Sequence, residues 1–349
     1  MNRLLYIYIF SIIFSLKMAN QASIDLSFLD LPLCSKSSSL GNTFLSDVGS
    51  SSNLLLNPSN IWFGDRVDNN SNIFKNVFLR ANISNYEIAS NNYYNILSTI
   101  QIGDGISIGF GNIGISQSNI NHYDNNANYL GQITHNQDAY IFGAATRILG
   151  INIGYSGTYI KTNFYNFDEY KNNNDAIVSA VGLSMINKSI NLKSTNLWQQ
   201  IFIPSKISFH ALSRNVISDI SNNISISNNS LYKNVIGFKF NYKLNLENEK
   251  IYKTYFLIDH KSNNNFTEQQ IDIGWGISNL FLSNSFGNLS FNVGLRNFSI
   301  SQFCWGIDYD ISKIFNSNLL DLVVGYSSIG NTWGGQTNIL TIKYSFDKN

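Results

Sequence analysis

Apolar and hydrophilic residues alternate along most of this chain. In Gln336 to Phe346, Asn338, Leu340, Ile342, Tyr344 and Phe346 fall on one side of a strand. Thr337, Ile339, Thr341, Lys343 and Ser345 fall on the other, because successive side chains of a strand point to opposite faces. The same period of two recurs upstream. Ile236, Phe238, Phe240, Tyr242, Leu244 and Leu246 oppose Gly237, Lys239, Asn241 and Lys243. Phe303, Trp305, Ile307, Tyr309 and Ile311 oppose Gln302, Cys304, Gly306, Asp308 and Asp310, and Ile151, Ile153, Tyr155 and Tyr159 oppose Asn152, Gly154, Ser156 and Thr158. Charges within strands, such as Arg147, Asp272 and Arg296, share the hydrophilic side.

Runs of this kind are predicted near 77–84, 93–102, 105–117, 138–148, 150–165, 175–187 and 205–214. Others follow near 234–246, 251–261, 269–279, 288–298, 301–312, 319–328 and 336–346. That is about fourteen, an even number, each near the ten residues a tilted strand needs to cross a bilayer. The pattern predicts an all-β fold, a single transmembrane antiparallel barrel closed by its C-terminal strand. Asn-rich connectors at 121–128, 172–174, 222–229 and 263–265 read as loops, and Leu149-Gly150 as a tight periplasmic hairpin turn.

The first seventy residues do not alternate. Met1 to about Ala22 reads as an export signal, with Arg3 ahead of an apolar run from Leu4 to Leu16 that is short for a membrane-spanning helix. Residues 23–72 carry the breakers Gly41 and Gly49, the apolar cluster Leu54 to Leu56 and a turn-forming Asn57-Pro58. They are too apolar for a free tail and are expected to sit as a plug or hatch in the lumen of a barrel formed by 73–349.

Composition narrows the setting. Charged residues make up 13% of the 349, about half the usual share for a soluble domain, and aromatics 14%. A formal net charge of +1 gives no sign of a nucleic-acid partner. The implied surroundings are outer-membrane lipid in a Gram-negative bacterium. Two cysteines, Cys34 and Cys304, leave a disulfide open and do not make a framework. Cys34 lacks the small preceding residue and adjacent apolar stretch of a lipid-modified cysteine.

Candidate chemistry is sparse. Gly109-Phe110-Gly111-Asn112-Ile113-Gly114 fits a dinucleotide fingerprint in spelling but lies inside a strand with no helix after it. Such strand glycines are expected to mark bends in the wall. His122 and His135 are placed in or beside a loop, His210 and His260 in strands, without ligand spacing. Asp308 and Asp310 share a face and read as lumen lining. No catalytic set, metal site or cofactor is expected, and the chain is read as non-enzymatic.

Phe28-Leu29-Asp30-Leu31-Pro32, Ser38-Ser39-Leu40-Gly41 and Leu56-Asn57-Pro58-Ser59 together resemble the N-terminal region of the PorV/PorQ family, which belongs with the FadL-like transport barrels. Asn128 to Gln132, Asn136 to Ala139 and Phe202 to Ile207 are similar to later stretches of that family. The resemblance implies a fourteen-strand barrel whose hatch motif includes Leu31, Pro32, Gly41, Leu56, Asn57 and Pro58. It also implies a non-enzymatic component of type IX protein secretion or surface attachment, with secretion-machinery proteins or exported cargo as partners. Two alternatives stay open: a FadL-like channel for a hydrophobic small molecule, and a purely structural surface barrel.

Overall fold

The computed structural model describes residues 27–43, 50–61, 77–88, 91–102, 105–123, 127–165, 171–186, 203–218, 234–246, 250–262, 269–283, 287–296, 302–311, 320–330 and 336–348. The export signal and the connectors at 222–229 and 263–265 lie outside them. The described residues form fourteen strands in one closed, wholly antiparallel barrel. In chain order these are β1 (Val77–Ile88), β2 (Asn91–Ile102), β3 (Ile106–Tyr123), β4 (Tyr129–Ile148), β5 (Ile151–Tyr165), β6 (Lys171–Ile186) and β7 (Lys206–Ser218). The circle continues through β8 (Asn234–Leu246), β9 (Lys250–Ser262), β10 (Gln269–Ser283), β11 (Gly287–Arg296), β12 (Gln302–Asp310), β13 (Leu320–Gly330) and β14 (Gln336–Lys348). Every strand pairs with its neighbours in sequence, and β14 closes on β1, with Ile83 opposite Ile342.

The period of two sorts the wall. On β2, Tyr93, Asn95, Leu97, Thr99 and Gln101 are buried while Tyr94 and Ile96 are exposed. On β14, Thr337, Ile339 and Thr341 are buried and Asn338, Leu340 and Ile342 exposed. Ile83, Ile96 and Ile342 are cross-strand neighbours at 50%, 52% and 45% exposure. Together with Phe110, Phe142, Leu183, Phe238, Phe303 and Leu340 they form an apolar outer face, as lipid contact requires. Of the charges expected inside, Asp272 is fully buried.

The strands differ in length. β3 and β4 run for 18 and 20 residues and β12 for 9. Two expected loops are therefore partly strand. Residues 121–123 belong to β3, and Asn172, Asn173 and Asn174 pair with Phe164, Asn163 and Thr162 of β5. Asparagine favours turns, but a neighbouring strand that presents unpaired N–H and C=O groups extends the ladder past that preference. For the same reason His122 and His135, expected in or beside a loop, lie within β3 and β4. The Leu149-Gly150 turn is as expected, a two-residue hairpin with φ of 51° and 83°.

Candidate functional site

The lumen holds the N-terminal segment. It begins with a 3-10 turn (Ser27–Asp30) and the single helical turn α1 (Ser35–Ser39). Cys34 caps α1, since its Sγ accepts from the Ser37 amide while Ser37 Oγ accepts from the Cys34 amide. Gly41, at φ 74°, then turns the chain where a side chain would meet the Leu295 carbonyl. After residue 49 come a second helical turn, α2 (Asn53–Leu56), and a 3-10 turn (Pro58–Ile61). Residues 50–61 are all buried.

Eight inward-facing glycines make room for this segment. A Cβ on any of them would fall closer than 3.0 Å to it. On β3 and β4, Gly109 and Gly143 face the Leu54 side chain; on β5 and β6, Gly154 and Gly182 face Pro58 and Asn57. On β10 and β11, Gly274 and Gly294 face Leu40 and Gly41; on β12 and β13, Gly306 and Gly325 face Ser39 and Ser35. Room for the Leu54 side chain is thus what the structure gives for Gly109. Gly111 and Gly114 instead lie under the Leu97 and Tyr94 side chains.

Inward-facing polar groups supply hydrogen bonds to the segment's backbone, which has no ladder of its own. The Leu33 carbonyl accepts from Asn82, Ser84 and Asn95, and the Pro32 carbonyl from Tyr86. The Ser35 amide donates to Thr341 Oγ1 at 2.8 Å and its hydroxyl donates to Asp308 Oδ1 at 2.8 Å. Arg214 pairs with Asp30 at 2.6 Å, buried on both sides. Lys261 pairs with Asp272 at 2.5 Å and donates to the Asn42 carbonyl. His210 Nδ1 meets Asn60 Oδ1 at 3.1 Å.

Charge is unevenly spread around the lumen. Around β2 to β7 the inward side chains include Leu97, Ile113, Ile141, Ile160, Val178 and Leu212, in one buried cluster with Leu54, Leu55 and Leu56, interleaved with mostly uncharged polar groups such as Asn95, Thr99, Asn152 and Ser156. Around β8 to β12 they include Lys239, Asp259, Lys261, Asp272, Asn292 and Asp308. There the Lys36 and Lys239 ammoniums lie 5.5 and 5.0 Å from the Tyr255 ring centre.

The residues singled out by resemblance all belong to the segment. Leu31 is partly buried against the apolar cluster, and Pro32, Gly41, Leu56, Asn57 and Pro58 are fully buried. Asn57 Oδ1 accepts from the amide and hydroxyl of Ser59, fixing the turn that carries Pro58 over Gly154. Cys34 and Cys304 are both buried free thiols, which resolves the open question of a disulfide. His210 faces the lumen, whereas His260 faces outward beside Gln269. Arg214, Lys261 and seven of the eight seat glycines carry no recognisable motif. Their signal is parity: each falls on the lumen side of its strand, opposite the exposed residues.

A closed fourteen-strand barrel with an apolar belt outside and a hydrogen-bonded lumen is an outer-membrane β-barrel of a Gram-negative bacterium. No family model and no curated protein matches the chain in sequence. Among solved structures it is similar to the toluene transporter TbuX of Ralstonia pickettii, with a TM-score of 0.47 and 8% identity, over 90% of this chain and 98% of that one. It is similar also to the monoaromatic hydrocarbon channel CymD, with a TM-score of 0.46 and 9% identity over 91% and 98% of the two chains. Omp33 of Acinetobacter baumannii, an outer membrane protein, gives 0.38 and 6% over 78% and 99%.

Proposed function

We propose that the chain is a FadL-like passage for hydrophobic small molecules, with residues 23–72 as the hatch, 73–349 as the barrel and 1–22 as an export signal. The observation that supports it is the buried apolar cluster inside the barrel. A water-filled pore is polar inside. Here Leu97, Ile113, Ile141, Ile160, Val178 and Leu212 line the interior and bury Leu54 to Leu56. Such a surface favours an apolar guest by roughly 25 cal/mol for each Å² removed from water. In this reading Leu31, Pro32, Gly41, Leu56, Asn57 and Pro58 are corners of the hatch and take no part in chemistry.

Uptake by cells whose outer membrane carries the protein tests this. Labelled toluene is expected to enter several-fold faster than in cells without it, and labelled maltose at an unchanged rate. An equal gain for maltose would make the protein a water-filled pore, and no gain for either would remove the passage.

The second reading is the type IX secretion role. What favours it is the resemblance of Phe28 to Pro32 and Leu56 to Ser59 to PorV and PorQ, residues that lie in the same segment. Affinity isolation from detergent-solubilised outer membranes separates the two. Co-isolated secretion proteins or exported cargo would favour secretion, and a bound hydrophobe without a protein partner favours passage.

A further inference from the structure

Both halves of the lumenal segment are seated on wall glycines, but they differ in their polar ties. Residues 27–43 are held by charge and hydrogen bonds that reach across the barrel. Their partners come from β1 and β2 (Asn82, Tyr86, Asn95), from β7 (Arg214), from β9 (Lys261), and from β12 and β14 (Asp308, Thr341). Residues 50–61 are seated on β3 to β6 by shape, with Leu54 on Gly109 and Gly143, Pro58 on Gly154 and Asn57 on Gly182. Polar ties from this second half run to β7, from Asn60 to His210 and from the Leu55 carbonyl to Arg214.

One further feature sets the second half apart. Its first residues, Ser50 and Ser51, border a cavity of about 180 Å³ whose walls include Arg80, Asp310 and Lys343, so there is room beside its base. Its three leucines belong to the apolar cluster of the wall, as do Phe28, Leu29 and Leu33 of the first half. An apolar guest offers that wall the same kind of contact as Leu54 to Leu56, so an exchange costs little burial. The same guest cannot replace a guanidinium–carboxylate pair or the donors on a buried carbonyl. Breaking those leaves a buried charge or an unbonded polar group.

We infer that the hatch opens by halves: an apolar guest lifts residues 50–61 from β3 to β6 while residues 27–43 stay bonded, and Arg214 is the catch between them. Arg214 is suited to that role because it holds both halves, Nη1 on Asp30 Oδ1 at 2.6 Å and Nη2 on the Leu55 carbonyl at 3.1 Å. It acts as a positioning residue. The guest is taken from the passage reading, whereas the division of the hatch rests on its own contacts.

Ser39 and Ser59 are matched probes, small, fully buried and in opposite halves. Each is replaced by cysteine in a protein with Cys34→Ser and Cys304→Ser, reconstituted in lipid nanodiscs, and its labelling by a water-soluble maleimide is timed. Ser59→Cys is expected to react at least tenfold faster than Ser39→Cys. Arg214→Ala should raise the Ser59→Cys rate several-fold more and leave that of Ser39→Cys alone. Arg214→Lys, which keeps the charge but cannot bridge both partners, serves if the alanine variant does not insert. Equal rates for the two serine positions, or a faster one at Ser39→Cys, would overturn the divided hatch. Added toluene should speed Ser59→Cys alone. If the halves differ and toluene changes nothing, the divided hatch stands and the passage reading fails.

Discussion

A single missing methyl group decides where the N-terminal segment can lie. Gly182 and Gly157 are glycines on adjacent strands of one barrel, yet their surroundings are opposite. A Cβ at Gly182 would fall on the Asn57 side-chain oxygen, and one at Gly157 would meet nothing within 4 Å. Gly182→Ala is therefore expected to destabilise the docked segment by about 1–3 kcal/mol, the usual cost of overpacking. Gly157→Ala should stay within about 0.5 kcal/mol of the parent, as ordinary surface changes do. Limited proteolysis at the segment, alongside heat-dependent gel mobility of the barrel, reads the two effects separately. Equal behaviour of the two variants would mean that Gly182 is not part of the seat.

Strands were legible because their period of two is imposed by two different solvents, lipid outside and a bonded lumen inside. The run from Val235 to Leu246 shows this plainly: Ile236 and Phe238 are exposed, and Val235, Gly237 and Lys239 buried. The ends were less legible, since Asn172 to Asn174 read as a loop by composition and are strand by partnership with β5. The seat was the hardest part. A glycine inside a strand is compatible with a bend, a bulge or a close neighbour, and Gly109 says nothing about Leu54 until the two are seen together. Long-range pairs such as Arg214 with Asp30, 184 positions apart, leave no local trace. The belt itself gives a prediction at this scale. Ile96→Arg, in the middle of β2 and flanked by Ile83, should weaken folding into liposomes by about 2–4 kcal/mol if it lies near the bilayer midplane. A change below about 0.5 kcal/mol in urea unfolding would mean that this row does not face lipid.

At the scale of the whole molecule, the barrel is a cylinder whose interior mixes an apolar cluster with buried ion pairs. Leucines, isoleucines and alanines pack beside Arg214 with Asp30 and Lys261 with Asp272. Removing one member of such a pair is costlier than never having built it, because the survivor is left charged in a dry site. The proposed hatch also sets what an electrical measurement sees. In planar bilayers the protein is expected to add no steady porin-sized conductance. A stable ohmic step of that size would show a continuous water column and remove the proposed hatch.

The amide of Ser35, near the start of the described chain, donates to the hydroxyl of Thr341 on the last strand. A ribosome makes these two residues 306 positions apart, so the early one waits, unseated, for nearly the entire polypeptide. That bond can form only when β14 stands beside β1. Sequence order and the order in which the contact can form thus run opposite ways, because a tie on one of the earliest described residues is completed by the last strand.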